Sequence, residues 1–317
     1  MANKDIILKK LKESEDFLSG EEIAESLHIT RASVWQSVKA LRDEGYRIVA
    51  VTNRGYFLDT DYAPLDADTI RSMRAPKDMA AEGIVLQTVD STNDELFRRN
   101  KKTPLPSYSF VAAEKQTAGK GRVGKSFHSP FGTGLYLSVL LKDEVYVRPD
   151  LITITAAVAA RRAAARQSEL PVEIKWVNDL YSAHKKIAGI LTEADFSAPS
   201  RPVVVGIGIN TATSQESFER KQLPRAGSLR GTAVDRNRLA ADFLSELHAC
   251  FLTDPRDILK EYRTHNLVLG RTVRFSEGDI VSTGVAESID DNGHLIVRAG
   301  TRRVTLRAGE VSVEGDW

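Results

Sequence analysis

Apolar residues at Ile6, Ile7, Leu8 and Leu11 fall on one stripe of a helix, and two further stripes follow at once. Ser19-Gly20-Glu21-Glu22 has the spacing of a capping box and opens a second helix with Ile23 and Leu27 inward; Thr30 caps a third that carries Val34, Val38 and Leu41. His28-Ile29-Thr30 is the short turn between them. After Gly45 the period changes to alternation, so RIVAV and GYFLDT read as a strand pair joined by Thr52-Asn53-Arg54-Gly55. Helix, turn, helix and hairpin form the pattern of a winged helix-turn-helix. With those residues inward, the third helix turns Arg31, Ser33, Gln36 and Ser37 outward near its amino end, where a recognition helix meets base edges. Lys39, Arg42 and the wing residue Arg54 are then placed to reach phosphates. A three-helix packing or dimerisation module would share the skeleton; the polar, basic outer face favours groove docking.

The stretch DTDYAPLDAD breaks the periodicity and marks a linker near residues 59–66. Beyond it come strand-like GIVLQTVD, a helix from Asn93, strand SYSFVAAE, a glycine-rich basic loop, strand GLYLSVLL, an alanine-rich helix from Asp150, strands VEIKW, IAGILTEA and VVVGIGIN, and a helix over 236–252. The strands do not alternate regularly with crossover helices, so the expected class is α+β, with a mixed or largely antiparallel sheet covered by helices. From Leu267 the chain turns to short strands, with Asp291-Asn292-Gly293 as a hairpin turn, which predicts a small β-barrel. Three domains are therefore expected, over 1–62, 63–266 and 267–317.

Composition narrows the partners. A chain of 317 residues is long for one domain, given about 150 residues for an average one. Lys plus Arg at 44 against Asp plus Glu at 43 leaves a net charge of +1, so attraction to nucleic acid or phosphate must come from local patches. The one cysteine, Cys250, lies in the apolar helical run LSELHACFL and reads as a buried thiol; no Cys/His cluster has zinc spacing, and no protein-ligated metal site is assigned. The amino-terminal apolar run is short, and no stretch approaches the ~20 apolar residues of a membrane span. The expected compartment is the cytoplasm.

Residues 114–141, EKQTAGKGRVGKSFHSPFGTGLYLSVLL, carry the richest chemistry. Gly119 to Ser126 satisfies the expression for a phosphate-binding P-loop, yet polar KQTA precedes it and Pro130, Gly132 and Gly134 forbid the helix that should follow. What remains is a loop whose glycines admit close backbone approach and whose Lys120, Arg122 and Lys125 suit an anion. A solvated basic turn would have the same composition. Four other segments add to it: Ser91-Thr92-Asn93-Asp94 at a strand-to-helix junction, Lys175-Trp176-Val177-Asn178-Asp179 at a strand end, Lys186 at the mouth of an apolar strand with Gly189 leaving room for something flat, and Gly206-Ile207-Gly208-Ile209-Asn210.

In this order, DSTN, QTAGKGRVGK, SPFGTGLYLS, KWVNDLY, KIAGIL, GIGIN and a closing GEVSV, the chain resembles the biotin protein ligase family over essentially all its length, and with its front domain the members that are both ligase and repressor. Where the family loop reads GRGRxGR with a tryptophan soon after, this chain has Lys120, Lys125 and Phe127, which keep charge and an aromatic face but give up the planar fork of arginine. The resemblance implies a central biotin/lipoate ligase-like sheet, an SH3-like terminal barrel, and activation of biotin by ATP to biotinyl-5′-AMP before transfer to a lysine of a biotin carboxyl carrier protein. It gives biotin to Ser91, Thr92, Asn93, Gln116, Gly119, Lys120, Arg122, Lys186 and Gly189, and the nucleotide to Lys120, Arg122, Phe127, Asn178 and Asn210. Lys186, Arg122 and Asp179 become the catalytic groups, Asp179 the proton acceptor, with Mg2+ and the incoming lysine near Asn178 and Asp179. Trp176 becomes an aromatic wall. Repression implies operator DNA and a ligand-induced homodimer. A lipoate ligase and a non-catalytic winged-helix sensor of a small acid are the alternatives; the KWVNDL and GKGRVGK pair disfavours the first, and retention of the basic loop, Asp179 and Lys186 the second.

Overall fold

The computed structural model describes residues 3–14, 17–44, 46, 48–51, 55–58, 63–77, 81–142, 148–197, 201–229, 234–277, 280–307 and 311–313. The chain divides into two compact units, Met1–Leu65 and Asp66–Trp317.

The first unit contains α1 (Asn3–Glu13), α2 (Gly20–Leu27), α3 (Arg31–Asp43), β1 (Ile48–Val51) and β2 (Gly55–Leu58). The predicted stripes close on one another: Ile7, Leu11, Ile23, Val34, Val38 and Leu41 are buried with Ile48 and Leu58, and Leu27 packs against them. The capping box forms as read, Glu22 N–H donating to Ser19 Oγ at 3.0 Å and Ser19 N–H to Glu22 Oε2 at 2.8 Å. His28 ends α2 in the left-handed region at φ 51°, returning its N–H to the carbonyls of Ala24 and Glu25. Leu18 pairs with Tyr56 across two backbone bonds of 2.8 Å, and this fixes why Gly55 is glycine: at φ +107° a Cβ would sit 2.1 Å from Leu18 O. Arg42, expected at phosphate, instead donates from Nε and Nη2 to Ile48 O at 2.8 and 2.5 Å, because that carbonyl starts β1 within reach of the last turn of α3. Thr52, Asn53 and Arg54 lie outside the described residues.

The second unit runs α4 (Ala67–Met73), β3 (Gly83–Leu86), α5 (Thr92–Lys102), β4 (Phe110–Ala113), β5 (Gly134–Leu141), α6 (Ile152–Ala165), β6 (Glu173–Lys175), β7 (Asp179–Ser182), β8 (Lys185–Ala194), β9 (Val203–Asn210), α7 (Gln215–Arg220), α8 (Arg236–Leu252) and α9 (Pro255–Thr264). Seven strands form one sheet in the order β3-β4-β5-β9-β8-β7-β6, with β3 and β4 parallel and the other neighbours antiparallel: the mixed sheet expected from the element order. Five further strands, β10 (Thr272–Glu277), β11 (Ile280–Ile289), β12 (Leu295–Ala299), β13 (Arg302–Leu306) and β14 (Val311–Val313), make an antiparallel sheet ordered β13-β12-β11-β10-β14.

Strand periodicity sorts the central sheet into two faces. Val111, Leu140 and Val204 meet Leu96 of α5 on one. Thr192, of opposite parity to Leu191 and Glu193 on β8, bonds Thr153 of α6 at 2.9 Å on the other, where α6 and α8 pack together. Cys250 of α8 is buried there, and burial pushes its thiol up to about 12, as the apolar run around it predicts.

Candidate active site

The α5 face of the sheet is bare where glycine replaces side chains. The register sets Tyr136, Gly208, Gly189 and Asp179 in one row across β5, β9, β8 and β7, with Ser138, Gly206 and Leu191 in the next. Gly206 and Gly208 are not idle space: a Cβ on the first would lie 2.2 Å from Asn93 Oδ1, and on the second 2.4 Å from Phe127 Cε1. They let the end of α5 and the loop aromatic seat on the sheet. Gly189 differs, because a Cβ there meets Asp179 and Lys186 only at 3.6 Å, an ordinary contact. Lys186 stands an odd number of positions from Gly189 and should face away, but a bulge opposite Leu180 and Tyr181 inserts one residue and returns it to the same face.

Above this floor lies a cavity of about 360 Å³, a size suited to small-molecule binding. It is lined by Ser91, Thr92, Asn93, Gln116, Lys120, Arg122, Phe127, Asn178, Asp179, Lys186, Gly189 and Asn210. Every residue expected to meet biotin or nucleotide is therefore at this cavity except Gly119, which packs behind it against Phe127 O, Ser129 and Gln116. Two cations from distant parts of the chain reach consecutive residues: Lys186 Nζ pairs with Asp179 Oδ1 at 2.7 Å, and Arg122 Nη1 donates to Asn178 Oδ1 at 3.2 Å.

At the other end Ser91, at the N-cap of α5, makes no capping bond; Gln116 Oε1 replaces it, accepting from Thr92 N–H at 2.9 Å and Thr92 Oγ1 at 3.1 Å. Ser138 Oγ then donates to Thr92 Oγ1 and Asn93 Oδ1, and Asn93 Nδ2 donates to Glu193 Oε2 at 2.7 Å. Lys120 joins this polar end through Asp94 at 2.5 Å and Glu193 at 3.7 Å, and the Asp94 hydrogen bond holds its ammonium above the usual lysine range. Asn210 Nδ2 donates to Gly227 O at 3.0 Å while its Oδ1 is buried without a partner. Trp176 lines the cavity as a wall, its indole N–H fixed to Gly293 O at 2.9 Å.

The loop is a hairpin rather than a P-loop. Lys120 bridges Ser126, Gly121 N–H donates to Lys125 O at 2.6 Å, and the tip turns through Val123 and Gly124 at φ 53° and 72°, with no helix to follow.

A biotin/lipoate A/B protein ligase family pattern matches residues 85–210, a helix-turn-helix pattern residues 4–57, and a biotin protein ligase C-terminal pattern residues 268–313. The bifunctional ligase/repressor BirA of Bacillus subtilis is 30% identical over 310 residues, covering 93% of each chain. The chain belongs to the biotin protein ligase family, among its bifunctional ligase/repressors. Escherichia coli BirA is likewise 30% identical, over 94% of this chain and 93% of its own. A biotin protein ligase from Aquifex aeolicus, solved with biotin and ATP, superposes with a TM-score of 0.63 at 26% identity over 74% of this chain and 99% of that one.

This biotin ligase/repressor also lines its cavity with Lys175 and His128, which lie in marked segments but are given no role there, and with Arg225 and Ala226, which no sequence motif marks. The last two come from a segment pinned to β8 by Lys186 N–H to Arg225 O at 2.8 Å and Gly227 N–H to Lys186 O at 2.9 Å. Its LPRAG composition carries no chemical signal. On the recognition helix Arg31, Gln36 and Lys39 are exposed as read, whereas Ser33 and Ser37 are half-buried and hold their hydroxyls on Thr30 and on Ser33 O. Trp35, absent from the expected contacts, is 56% exposed with Lys39 Nζ 5.7 Å from its ring centroid.

Proposed function

We propose that this family member joins biotin to ATP, transfers the biotinyl group to a lysine of a biotin carboxyl carrier protein, and represses transcription in response to the same ligand. The convergence of Lys186–Asp179 and Arg122–Asn178 on one glycine-floored cavity carries the reading. A carboxylate oxygen of biotin attacks the α-phosphate of ATP and pyrophosphate leaves; the carrier amine then attacks the anhydride carbonyl and AMP leaves. Two anions must be brought together, neutralised and shielded from water. Lys186 stabilises charge between carboxylate and α-phosphate, Arg122 and Lys120 cover the phosphate from the loop, and Asp179 accepts the proton of the incoming amine. Ser91, Thr92 and Gln116 with the backbone of Gly189 take the ureido ring, and Asn93 and Gly119 brace them. The partnerless Asn210 Oδ1 fits a nucleobase amino group, and Phe127 supplies an aromatic face beside it.

Mg2+ fits as the counter-ion of ATP, neutralising phosphate oxygens. Asp179 and Asn178 are the oxygen donors that suit it, since this ion takes one or two carboxylates plus phosphate. Among the described residues no group of His, Cys, Asp or Glu forms a metal cage of its own. The domain limits at 62/63 and 266/267, the cytoplasm as compartment and a homodimer formed on ligand binding belong to the same proposal; among the described residues no helix is long and apolar enough to cross a membrane. Incubation with biotin, ATP, Mg2+ and a biotin carrier domain, followed by the mass of the carrier, tests the ligase; an unmodified carrier refutes it. Gel-shift titration on a family-type operator with and without biotin and ATP tests the repressor; no ligand-dependent, salt-sensitive shift refutes that half.

A further inference from the structure

One buried ionic group takes no part in the chemistry above. Arg236, the first residue of α8, is 4% exposed and Glu114 is 0% exposed. They meet in a two-pronged pair, Nη1 to Oε2 at 2.6 Å and Nη2 to Oε1 at 3.3 Å, and Nη1 also donates to Gly134 O at 3.3 Å. A cation at a helix amino end opposes the helix dipole, so α8 does not itself favour Arg236 there. A fully buried pair is also poor value as a source of stability. Its position is informative instead. Glu114 follows β4 and opens the cationic loop; Gly134 begins β5 and closes it. Gly132 N–H donates to Glu114 O at 3.0 Å, so both ends of the excursion meet at this guanidinium. Above the base the loop is braced by Thr117 and Ala118 N–H groups on Val89 O and Asp90 O at 2.9 Å, by the Gln116 side chain on Thr92 and Ser129, by Lys120 on Asp94 and by Arg122 on Asn178, while its tip residue Val123 is 82% exposed. Neither Glu114 nor Arg236 lines the cavity.

We propose that Arg236 and Glu114 are positioning residues whose pair anchors the base of the cationic loop so that it stays over the adenylate until the carrier lysine arrives. This rests on the ligase reading. With the anchor gone, the loop opens between the two half-reactions and water attacks the anhydride carbonyl in place of the amine, giving biotin and AMP. Pyrophosphate is then released without matching transfer.

The test uses the full chain with biotin, ATP, Mg2+ and a carrier domain, measuring pyrophosphate and biotinylated carrier in one reaction. Glu114→Gln with Arg236→Met strands no charge; Arg236→Lys keeps the cation but not the fork. The wild type should give a ratio near one, the double variant should raise it at least about threefold because the intermediate is no longer shielded, and Arg236→Lys should fall between. A merely structural loss lowers both products together. A folded double variant with the wild-type ratio overturns the anchor; if it does not fold, Arg236→Lys decides, a raised ratio supporting the anchor and an unchanged one overturning it. A wild type that releases no biotin-dependent pyrophosphate removes the ligase reading itself, and the anchor with it.

Discussion

Two glycines in one row of the sheet should respond in opposite ways to the same methyl group. Gly189→Ala meets nothing closer than 3.6 Å, so the protein should fold with stability changed by less than about 1 kcal/mol. Its methyl enters space reserved for a ligand, and KM for biotin in pyrophosphate release should rise at least about tenfold, a loss of ~1.4 kcal/mol. Gly208→Ala must displace the Phe127 ring, 2.4 Å from the new carbon, and should cost about 1–3 kcal/mol in urea unfolding. Equal effects on folding would overturn the distinction. Lys186→Ala removes the cation beside Asp179 and should abolish adenylate formation while circular dichroism is unchanged; near-normal turnover would remove Lys186 from the mechanism. The sequence makes these residues legible because a strand end with glycines and a polar terminus, as in GIGIN or KIAGIL, has few uses. It does not make Lys186's facing legible, since that depends on a bulge whose cause is the pairing of β7. Nor does it reveal Arg225, whose place depends on backbone bonds to a strand distant in sequence.

Element by element, what could be read followed length and periodicity. α3 is long, capped by Thr30 and striped, and its inward residues are those predicted. β7 is four residues between turns, and α4 and α7 are seven and six residues, too short for a period to declare itself. α9, which lies beyond the helix expected over 236–252, has a signal in Asp254 followed by Pro255 at the first turn. The recognition helix separates two basic residues that look alike in sequence. Lys39 is exposed at the face of Trp35, so Lys39→Ala should reduce the slope of log K against log salt by about one. Arg42 is engaged with Ile48 O, so Arg42→Ala should leave that slope unchanged and lower stability by about 1 kcal/mol. Gel shifts across a salt series, with urea melts of the same proteins, check both; a slope change for Arg42→Ala would return it to the phosphates.

Across the whole molecule, the net charge of +1 conceals an uneven use of charge: cations gather at the cavity while carboxylate–arginine pairs hold helices together. Arg162 of α6 bonds Glu261 of α9 at 3.0 and 2.5 Å and Glu246 of α8 at 3.2 Å, joining three helices behind the sheet. The Arg162 hydrogen bonds hold the Glu261 carboxyl below its ordinary range; Arg98 does the same for Asp90 and Arg148 for Asp150. A carboxylate depressed in the folded state contributes stability that is complete above its unfolded pKa, about 4, and is lost as pH falls through the folded value. The urea midpoint should therefore be insensitive to these groups above about pH 5 and decline below about pH 4. Arg162→Gln sharpens the test. At neutral pH it removes the cation that Glu246 and Glu261 share, leaving Arg166 on the first and Arg161, at 3.8 Å, on the second, and the midpoint should drop. As the solution is acidified the Glu261 carboxyl becomes neutral in both proteins, so the penalty should shrink and the two midpoints converge. Parallel curves down to pH 3 would mean that Arg162 acts through packing of its aliphatic stem rather than through its charge.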